Sequence, residues 1–182
     1  RIITMLNVFN DELVVDYKGI YSVEKFIIAR KLMYWQVYLH KTVLSAEYTL
    51  MNVLRRAKKI ATTDSNIFST NAFSKFLYEK NNITKDFFIK ENFLCNFATL
   101  DDYDILCSIK EWCHNSDKIL SLLSNKIIKR ELLKISTVNP KNKSKQLKDL
   151  RSKAMKMFDV NKTDVKLLVF PICIRNETYN LI

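Results

Sequence analysis

Glycine and proline are scarce in this chain of 182 residues, which has one glycine and two prolines. Tight hairpin turns favour residues that tolerate a positive φ, so a sandwich or barrel with many hairpins is not expected. A single glycine cannot build a G-x-G-x-x-G turn or a P-loop, and both of these phosphate-binding loops are excluded. The composition favours a mainly helical fold with a small β appendage.

Long hydrophobic runs are also lacking. No stretch approaches the roughly 18 apolar residues of a membrane-spanning helix, and no basic-then-apolar segment resembles an export signal. We therefore expect a cytoplasmic protein without a membrane partner. The chain begins with Arg1 and not with Met, which we interpret as the sign of a fragment.

The cysteines are few, and Cys95, Cys107, Cys113 and Cys173 form no C-x-x-C pair. Without an export signal, a disulfide framework is not expected in a chain of this length. A zinc site from Cys107, Cys113 and His114 is conceivable, although the spacing matches no common zinc motif. We expect reduced, mostly buried thiols.

Helical periodicity dominates the rest of the sequence. The segment from Ser22 to Ile60 contains no glycine or proline and predicts the longest helix, one long enough that a kink or break is expected. Residues 1–9 are interpreted as the end of a helix. Shorter helices are predicted over Thr70–Glu79, over Lys85–Phe93, after a cap at Thr99 or Asp101, from Ser116 to about Leu133, and over Lys145–Phe158.

A small sheet is predicted from two β-prone runs, Leu13–Val15 and Val165–Ile174. In the last predicted helix, Leu147, Leu150, Ala154 and Met157 share the apolar side. We divide the chain into a helical part, residues 1–135, and an appendage of basic loop, helix and strand, residues 136–182.

Four polar side chains would share a narrow face of the long helix. At 100° per residue, Arg30, Tyr34, Tyr38 and Lys41 fall within about 80° of one another. Arginine and lysine bind phosphate, and tyrosine stacks on or bonds to a sugar or base. The alternative is a solvated stripe whose tyrosines pack on a neighbour. Because unpartnered cations are costly on an apolar face, we expect the stripe to point into a shared cavity or a subunit contact.

The same segment carries a spaced motif, which consists of Arg30, Tyr34, Tyr38, His40, Lys41 and Thr42. It resembles a helix of HD-superfamily phosphohydrolases of the deoxynucleoside triphosphate triphosphohydrolase type, with the pattern R-x-x-x-[YH]-x-x-x-Y-x-H-K-[TV]. The segment Leu100–Trp112 is similar to that family's L-D-D-x-D-[IV] segment. The resemblance spans most of residues 1–135.

The resemblance implies a role for each residue of the motif. Arg30 would contact the phosphates of the nucleotide, and Tyr34 would lie near the phosphates and the metal-bound water. Tyr38 would pack against the deoxyribose and discourage a 2′-hydroxyl. His40 and Lys41 fall where some members bind the phosphates of a regulatory nucleotide between subunits.

The sequence departs from the family pattern at several points. Tyr34 stands where the family often has His, and Leu39 stands where regulated members carry Gln. The family's metal site needs a His, a His-Asp pair and a further Asp, yet His40 and His114 are the only histidines and neither precedes Asp. The metal site is absent from this chain, because the family's ligands precede the present segment. We expect this chain alone to be inactive, and the intact parent enzyme to use a divalent metal as a Lewis acid.

Two other groups suggest chemistry but have simpler explanations. Asp101, Asp102 and Asp104 could be metal carboxylates, but in the first turn of a helix we expect them to act in capping. Cys113 and His114 are adjacent, so on a helix they point about 100° apart and cannot easily form a catalytic pair. We interpret His114 as an ordinary residue near a helix end.

A basic cluster accompanies the net charge of +11. It comprises Lys141, Lys143, Lys145, Lys148, Arg151, Lys153 and Lys156. Such a cluster can bind nucleic-acid phosphates without base specificity, or it can be a solvated face that maintains solubility.

Two functions therefore remain open. The first is a fragment of a metal-dependent (deoxy)nucleoside triphosphate phosphohydrolase that supplies part of the nucleotide pocket and of a homo-oligomer interface. The alternative is a non-catalytic, basic helical module that binds nucleic acid or a protein partner. An H…HD…D ligand set encoded upstream of Arg1 would favour the first, and its absence would favour the second.

Overall fold

The computed structural model describes residues 2–63, 66–80, 93–136 and 142–173. The chain separates into two compact units, of which the first is Arg1–Leu44 with Cys173–Ile182 and the second is Ser45–Ile172. The mainly helical fold with a small sheet is confirmed. Within the described ranges, every helix is too short or too polar to cross a membrane. The helix predicted over residues 85–93 lies outside these ranges except for its last residue.

The first unit begins with a β-hairpin. Strands β1 (Leu6–Phe9) and β2 (Glu12–Val15) pair antiparallel. Asn10 and Asp11 form the two-residue turn with φ of 53° and 60°, a left-handed backbone that Asn and Asp tolerate. The strand predicted at Leu13–Val15 is confirmed. The helix end predicted for residues 1–9 is wrong, because only Ile3–Met5 form a short 3₁₀ turn and Leu6–Phe9 form strand β1.

The only glycine of the chain, Gly19, lies where the backbone passes close to the hairpin. It ends a 3₁₀ turn, Tyr17–Gly19, that leads from β2 into the next helix. A Cβ atom on Gly19 would lie 2.9 Å from Met5 Cβ and 2.9 Å from Val15 Cγ1. The position therefore requires glycine because of this close approach, and not because of its φ of −88°.

The predicted long helix is interrupted. Helix α1 (Ile20–Met33) passes into a π-helical turn, Tyr34–Tyr38. Helix α2 (Lys41–Thr63) begins after two intervening residues. The amide of Leu39 donates to the carbonyl of Tyr34 at 2.8 Å, five residues back, which is the bond that defines a π turn. Helix α2 is the longest element, as predicted, and it continues three residues beyond Ile60.

In its described residues, the second unit is built from the body of α2 and six further helices. They are α3 (Asn71–Leu77), α4 (Phe93–Thr99), α5 (Asp102–Trp112), α6 (Lys118–Ile128), α7 (Lys143–Phe158) and α8 (Val165–Leu168). Its core contains Val53 and Ala57 from α2, Ile109 and Trp112 from α5, and Leu120 and Leu123 from α6. This apolar burial is the dominant favourable contribution to the stability of the unit.

Helix α6 begins and ends at other residues than predicted. Asp117 is the N-cap, and its Oδ1 accepts a hydrogen bond from the amide of Leu120 at 2.8 Å. The backbone turns left-handed at Arg130, where φ is 58°, shortly after the helix ends. The prediction of a helix that opens at Ser116 and runs to Leu133 is wrong at both ends.

The strand predicted over residues 165–174 is also wrong, because its first four residues form helix α8. The side-chain oxygen of Asn161 accepts hydrogen bonds from the amides of Thr163 and Asp164 at 3.0 and 2.8 Å. This Asx turn starts the helical turn. Val165 and Leu168, three residues apart, are then both buried on the same face.

Arg56 connects three segments of the second unit. Its Nε and Nη2 donate to the two carboxylate oxygens of Asp117 at 3.0 and 2.6 Å, and its Nη1 donates to Asp164 at 2.7 Å. Burial acts to raise the pKa of Asp117, but the hydrogen bonds from Arg56 and from the amide of Leu120 outweigh it and lower that pKa. The bond with Asp117 correspondingly raises the pKa of Arg56, against the effect of burial. Asp117 therefore stabilises the unit as a carboxylate.

We expect Gly19→Ala to destabilise the hairpin of the first unit. The added methyl group would overlap Met5 and Val15, and such overpacking typically costs about 1–3 kcal/mol. Amide hydrogen exchange of β1 and β2 should therefore become faster, whereas Lys18→Ala, at the exposed neighbouring position, should leave it unchanged. Equal exchange rates in the wild type and Gly19→Ala would contradict this packing.

We expect Asp117→Asn to lower the free energy of unfolding by about 2 kcal/mol at pH 7, because a bond to a charged group is lost. Asparagine still caps a helix, so the substitution isolates the charge. Since the folded pKa of Asp117 is depressed, the advantage of the wild type should disappear as the pH falls through about 4 towards that lower folded value. Urea unfolding from pH 7 to pH 2 measures this, with Asp149→Asn as an exposed control. If the difference in the free energy of unfolding between the wild type and Asp117→Asn is the same at every pH from 7 to 2, the charge is not responsible.

Candidate functional site

Three of the four residues predicted to share one face are in contact with one another. The guanidinium carbon of Arg30 lies 5.9 Å from the ring centroid of Tyr34, within the range of a cation–π interaction. The rings of Tyr34 and Tyr38 are 5.1 Å apart and tilted by 59°. We call this arrangement the Arg30–Tyr34–Tyr38 ladder. It starts in the last turn of α1 and extends through the π turn, so one backbone feature positions both tyrosines.

The ladder is accessible to a ligand. Arg30 and Tyr38 are exposed and Tyr34 is half-buried, while α1 and the π turn bury no residue. Among the residues that the structure describes, Arg30 forms no ion pair. The guanidinium therefore keeps donors free for an anion while its face contacts an aromatic ring, and phosphate oxygens suit such a donor.

Lys41, the fourth residue of the predicted stripe, begins a different helix. The regular 100° spacing ends at the π turn, so the phase that relates Lys41 to Arg30 in an uninterrupted helix does not apply. His40 precedes α2, and its Nδ1 accepts a hydrogen bond from the amide of Thr42 at 3.3 Å. This bond requires an unprotonated Nδ1, and it gives His40 the local role of a helix cap.

The described residues do not provide a metal site. Within residues 2–63, 66–80, 93–136 and 142–173, no group of three or more His, Cys, Asp or Glu side chains could hold an ion. They do not fit the divalent metal that the family resemblance implies for the intact enzyme.

The carboxylates of Asp101 and Asp104 form a capping box, as predicted. Asp101 accepts from the amides of Tyr103 and Asp104 at 2.8 and 3.1 Å, and Asp104 accepts from the amide of Asp101 at 3.0 Å. These bonds satisfy backbone donors in the first turn of α5. They account for the acidic run without a metal.

The cysteines differ from the prediction of mostly buried thiols. Cys95, Cys107 and Cys173 are exposed and Cys113 is half-buried. The Sγ of Cys113 donates to the carbonyl of Ile109 at 3.4 Å, in its own helix, and burial raises its pKa. A raised pKa disfavours the thiolate, so Cys113 lacks the character of a nucleophile.

Trp35 was not singled out by the sequence patterns, although it lies within the π turn between the two ladder tyrosines. Its side chain is 56% exposed, which is high for a tryptophan. The signal available in the sequence was the density of aromatic residues over positions 34–38, where three of five are aromatic.

The open depressions among the described residues include two in the second unit. One, of about 440 Å³, is lined by Asn66, Ile67, Phe68, Ser69 and Tyr78. The other, of about 480 Å³, surrounds Arg56 and Asp117. Neither contains a residue of the ladder, and the guanidinium in the second is already paired with two carboxylates.

Comparisons with known proteins find three similarities. Residues 1–87, which include the ladder, match the HD associated region. A crystal structure of a phosphohydrolase (BT4208) from Bacteroides thetaiotaomicron VPI-5482 is similar with a TM-score of 0.82 and 38% identity. The uncharacterized protein YwfO of Bacillus subtilis (strain 168) is 30% identical over 140 residues. The first part of the chain is thus similar to an HD associated region, and the fold is similar to part of a protein described as a phosphohydrolase.

The chain corresponds to only part of each of these proteins. The structural match covers 92% of this chain but 42% of the Bacteroides phosphohydrolase. The match to YwfO covers 77% of this chain and 30% of that protein. The relatives are thus more than twice as long as the portion that this chain matches.

We expect His40→Ala to weaken the start of α2 by about 0.5–1 kcal/mol, because the cap on the Thr42 amide is lost. Hydrogen exchange at the amide of Thr42 should become faster, and His40→Asn, which can still cap, should restore much of the protection. If His40→Ala leaves that exchange unchanged, the cap assignment is wrong.

Proposed function

We propose that this chain is part of a metal-dependent (deoxy)nucleoside triphosphate phosphohydrolase and forms one wall of its nucleotide pocket. The observation that carries the proposal is the Arg30–Tyr34–Tyr38 ladder, in which a cation and two tyrosines are in contact on an accessible surface. The ladder lies within the segment that matches the HD associated region. The Bacteroides relative, described as a phosphohydrolase, supports the class of reaction.

The proposed role of each ladder residue follows from its chemistry. Arg30 donates charge-assisted hydrogen bonds to phosphate oxygens, and its contact with the Tyr34 ring limits the orientations of the guanidinium. Tyr38 offers a ring face to the deoxyribose. A 2′-hydroxyl on that face would lose hydrogen bonds to water against an apolar surface, which disfavours a ribonucleotide.

The surface of the first unit supports a second part of the proposal, in which another polypeptide surface covers it. Large apolar side chains of the hairpin and α1 are solvent-exposed, including Val8 (64%), Phe9 (68%), Leu13 (71%) and Phe26 (55%). Exposed apolar side chains in this number are typical of a surface that another polypeptide covers. We propose that it contacts the remainder of the enzyme or a second subunit of a homo-oligomer.

In the intact enzyme, we expect Arg30→Ala to lower kcat/KM for a deoxynucleoside triphosphate by about 10- to 100-fold, since a charge-assisted bond contributes about 1.5–3 kcal/mol. Lys31→Ala removes the neighbouring exposed cation and should have little effect. Tyr38→Ala should reduce the preference for deoxynucleotides over ribonucleotides, whereas Tyr21→Ala, which removes another exposed tyrosine of α1, should not.

Steady-state kinetics and melting temperatures of all four variants test the site. Unchanged kinetics with a large loss of melting temperature in Arg30→Ala and Tyr38→Ala would mean that the ladder is structural. An equal kinetic loss in Lys31→Ala would point to general charge and not to the ladder.

A further inference from the structure

Helix α7 presents a second surface, unrelated to the ladder, whose charge is mainly positive although exposed Asp149 lies on the same side. The helix contains six Lys or Arg residues and one Asp in sixteen positions. Ala154 is buried, and Phe158 packs against the core. At 100° per residue, four lysines lie about 120° to 260° around the helix from Ala154. We call Lys145, Lys148, Lys153 and Lys156, all exposed, the lysine face.

The structure corrects the predicted sides of this helix. Leu150 and Met157, expected on the buried side, are 41% and 79% exposed. Arg151, expected in the basic cluster, is half-buried, and its Nε donates to the carbonyl of Val169 at 3.0 Å. Lys141 lies outside the described residues. The basic surface is therefore smaller than the sequence cluster, but it consists of lysines that share one side.

The charge of the lysine face is only partly offset, by Asp149, which lies four positions from Lys145 and from Lys153. None of the four lysines forms an ion pair with a described residue. Like charges three or four positions apart on a helix repel one another, and Lys145 with Lys148, and Lys153 with Lys156, have that spacing. A polyanion that contacts the face would remove this repulsion.

The chemistry of the face selects among polyanions. A helix that binds a lipid surface inserts its apolar side, but the side of α7 that carries Ala154 and Phe158 is packed on the core. Single-stranded nucleic acid is usually held by stacking on aromatic side chains, and the exposed residues of α7 include no aromatic. Lysine is a point charge without a fixed geometry, which suits a dense, regular array of phosphates.

We propose that the lysine face of α7 binds the phosphate backbone of duplex nucleic acid without reading its sequence. Lys145 and Lys156 are separated by about 17 Å along the helix at 1.5 Å per residue. A duplex carries one charge per roughly 1.7 Å of its axis, so about ten phosphates lie along that length. The four lysines can therefore each find a phosphate in many registers.

Fluorescence anisotropy of the chain with two unrelated 20-base-pair duplexes tests this proposal. If each lysine contacts one phosphate, log K should fall with log salt with a slope of about −3.6, or about 100-fold between 50 and 200 mM KCl. Most of this slope should be lost in a quadruple variant that removes the lysine face, Lys145→Gln/Lys148→Gln/Lys153→Gln/Lys156→Gln. The slope should be retained in a matched control that removes four exposed lysines elsewhere in the second unit, Lys75→Gln/Lys110→Gln/Lys129→Gln/Lys134→Gln.

Several outcomes would overturn the proposal. An equal loss of binding in both quadruple variants would attribute binding to net charge. Tighter binding of single-stranded dT20 than of duplex, or of a poly-glutamate peptide of equal charge, would assign the face to a different partner. Circular dichroism verifies that each variant is folded, and the single variant Lys148→Gln, with an expected slope loss of about 0.9, provides the test if the quadruple variant unfolds.

Discussion

The paired carboxylates around Arg56 hold together the segments on which the second unit depends. Arg56 lies on α2, Asp117 is the cap of α6, and Asp164 precedes α8. The same Asp117 oxygen that accepts from the amide of Leu120 also accepts from Arg56. One carboxylate thus fixes both the start of a helix and its attachment to α2. Loss of Arg56 would leave two acidic groups, each only partly exposed, without a counter-charge.

The described residues of the first unit form no comparable arrangement. In its described part, only Gly19 and Leu44 are buried, and the sheet is a single two-stranded hairpin, a structure that is marginal in water by itself. Apolar side chains such as Phe26 and Trp35 remain in solvent. The unit therefore exposes apolar side chains of the kind that proteins usually bury. This exposure is the physical reason for proposing that another polypeptide covers the unit.

Local rules predicted those parts of the fold that local interactions determine. A capping role for Asp101 and Asp104 could be predicted from negative charge in the first turn of a helix, and the structure selects Asp101 over Thr99 as the N-cap. The strand expected over residues 165–174 failed because β-branched composition is a weak guide, and the Asx turn at Asn161 outweighs it. The exposed positions of Leu150 and Met157 were missed because periodicity identifies an apolar side but not whether a neighbour covers all of it.

The residues of the ladder could be predicted from the sequence, but the residue at which the shared helix face ends could not. Helical spacing correctly brought together Arg30, Tyr34 and Tyr38, since neighbours four positions apart meet on a helix. It also included Lys41, because nothing in the local pattern indicates the extra residue of a π turn.

That extra residue has a functional consequence. It ends one helix and lets His40 begin another, so the residues that the family resemblance relates to substrate and those that it relates to a regulatory nucleotide lie on different elements. A change in the geometry of α1 therefore need not be transmitted rigidly to Lys41, as it would be along a continuous helix. The π turn therefore places Tyr38 and Lys41 on different elements, although only two residues lie between them.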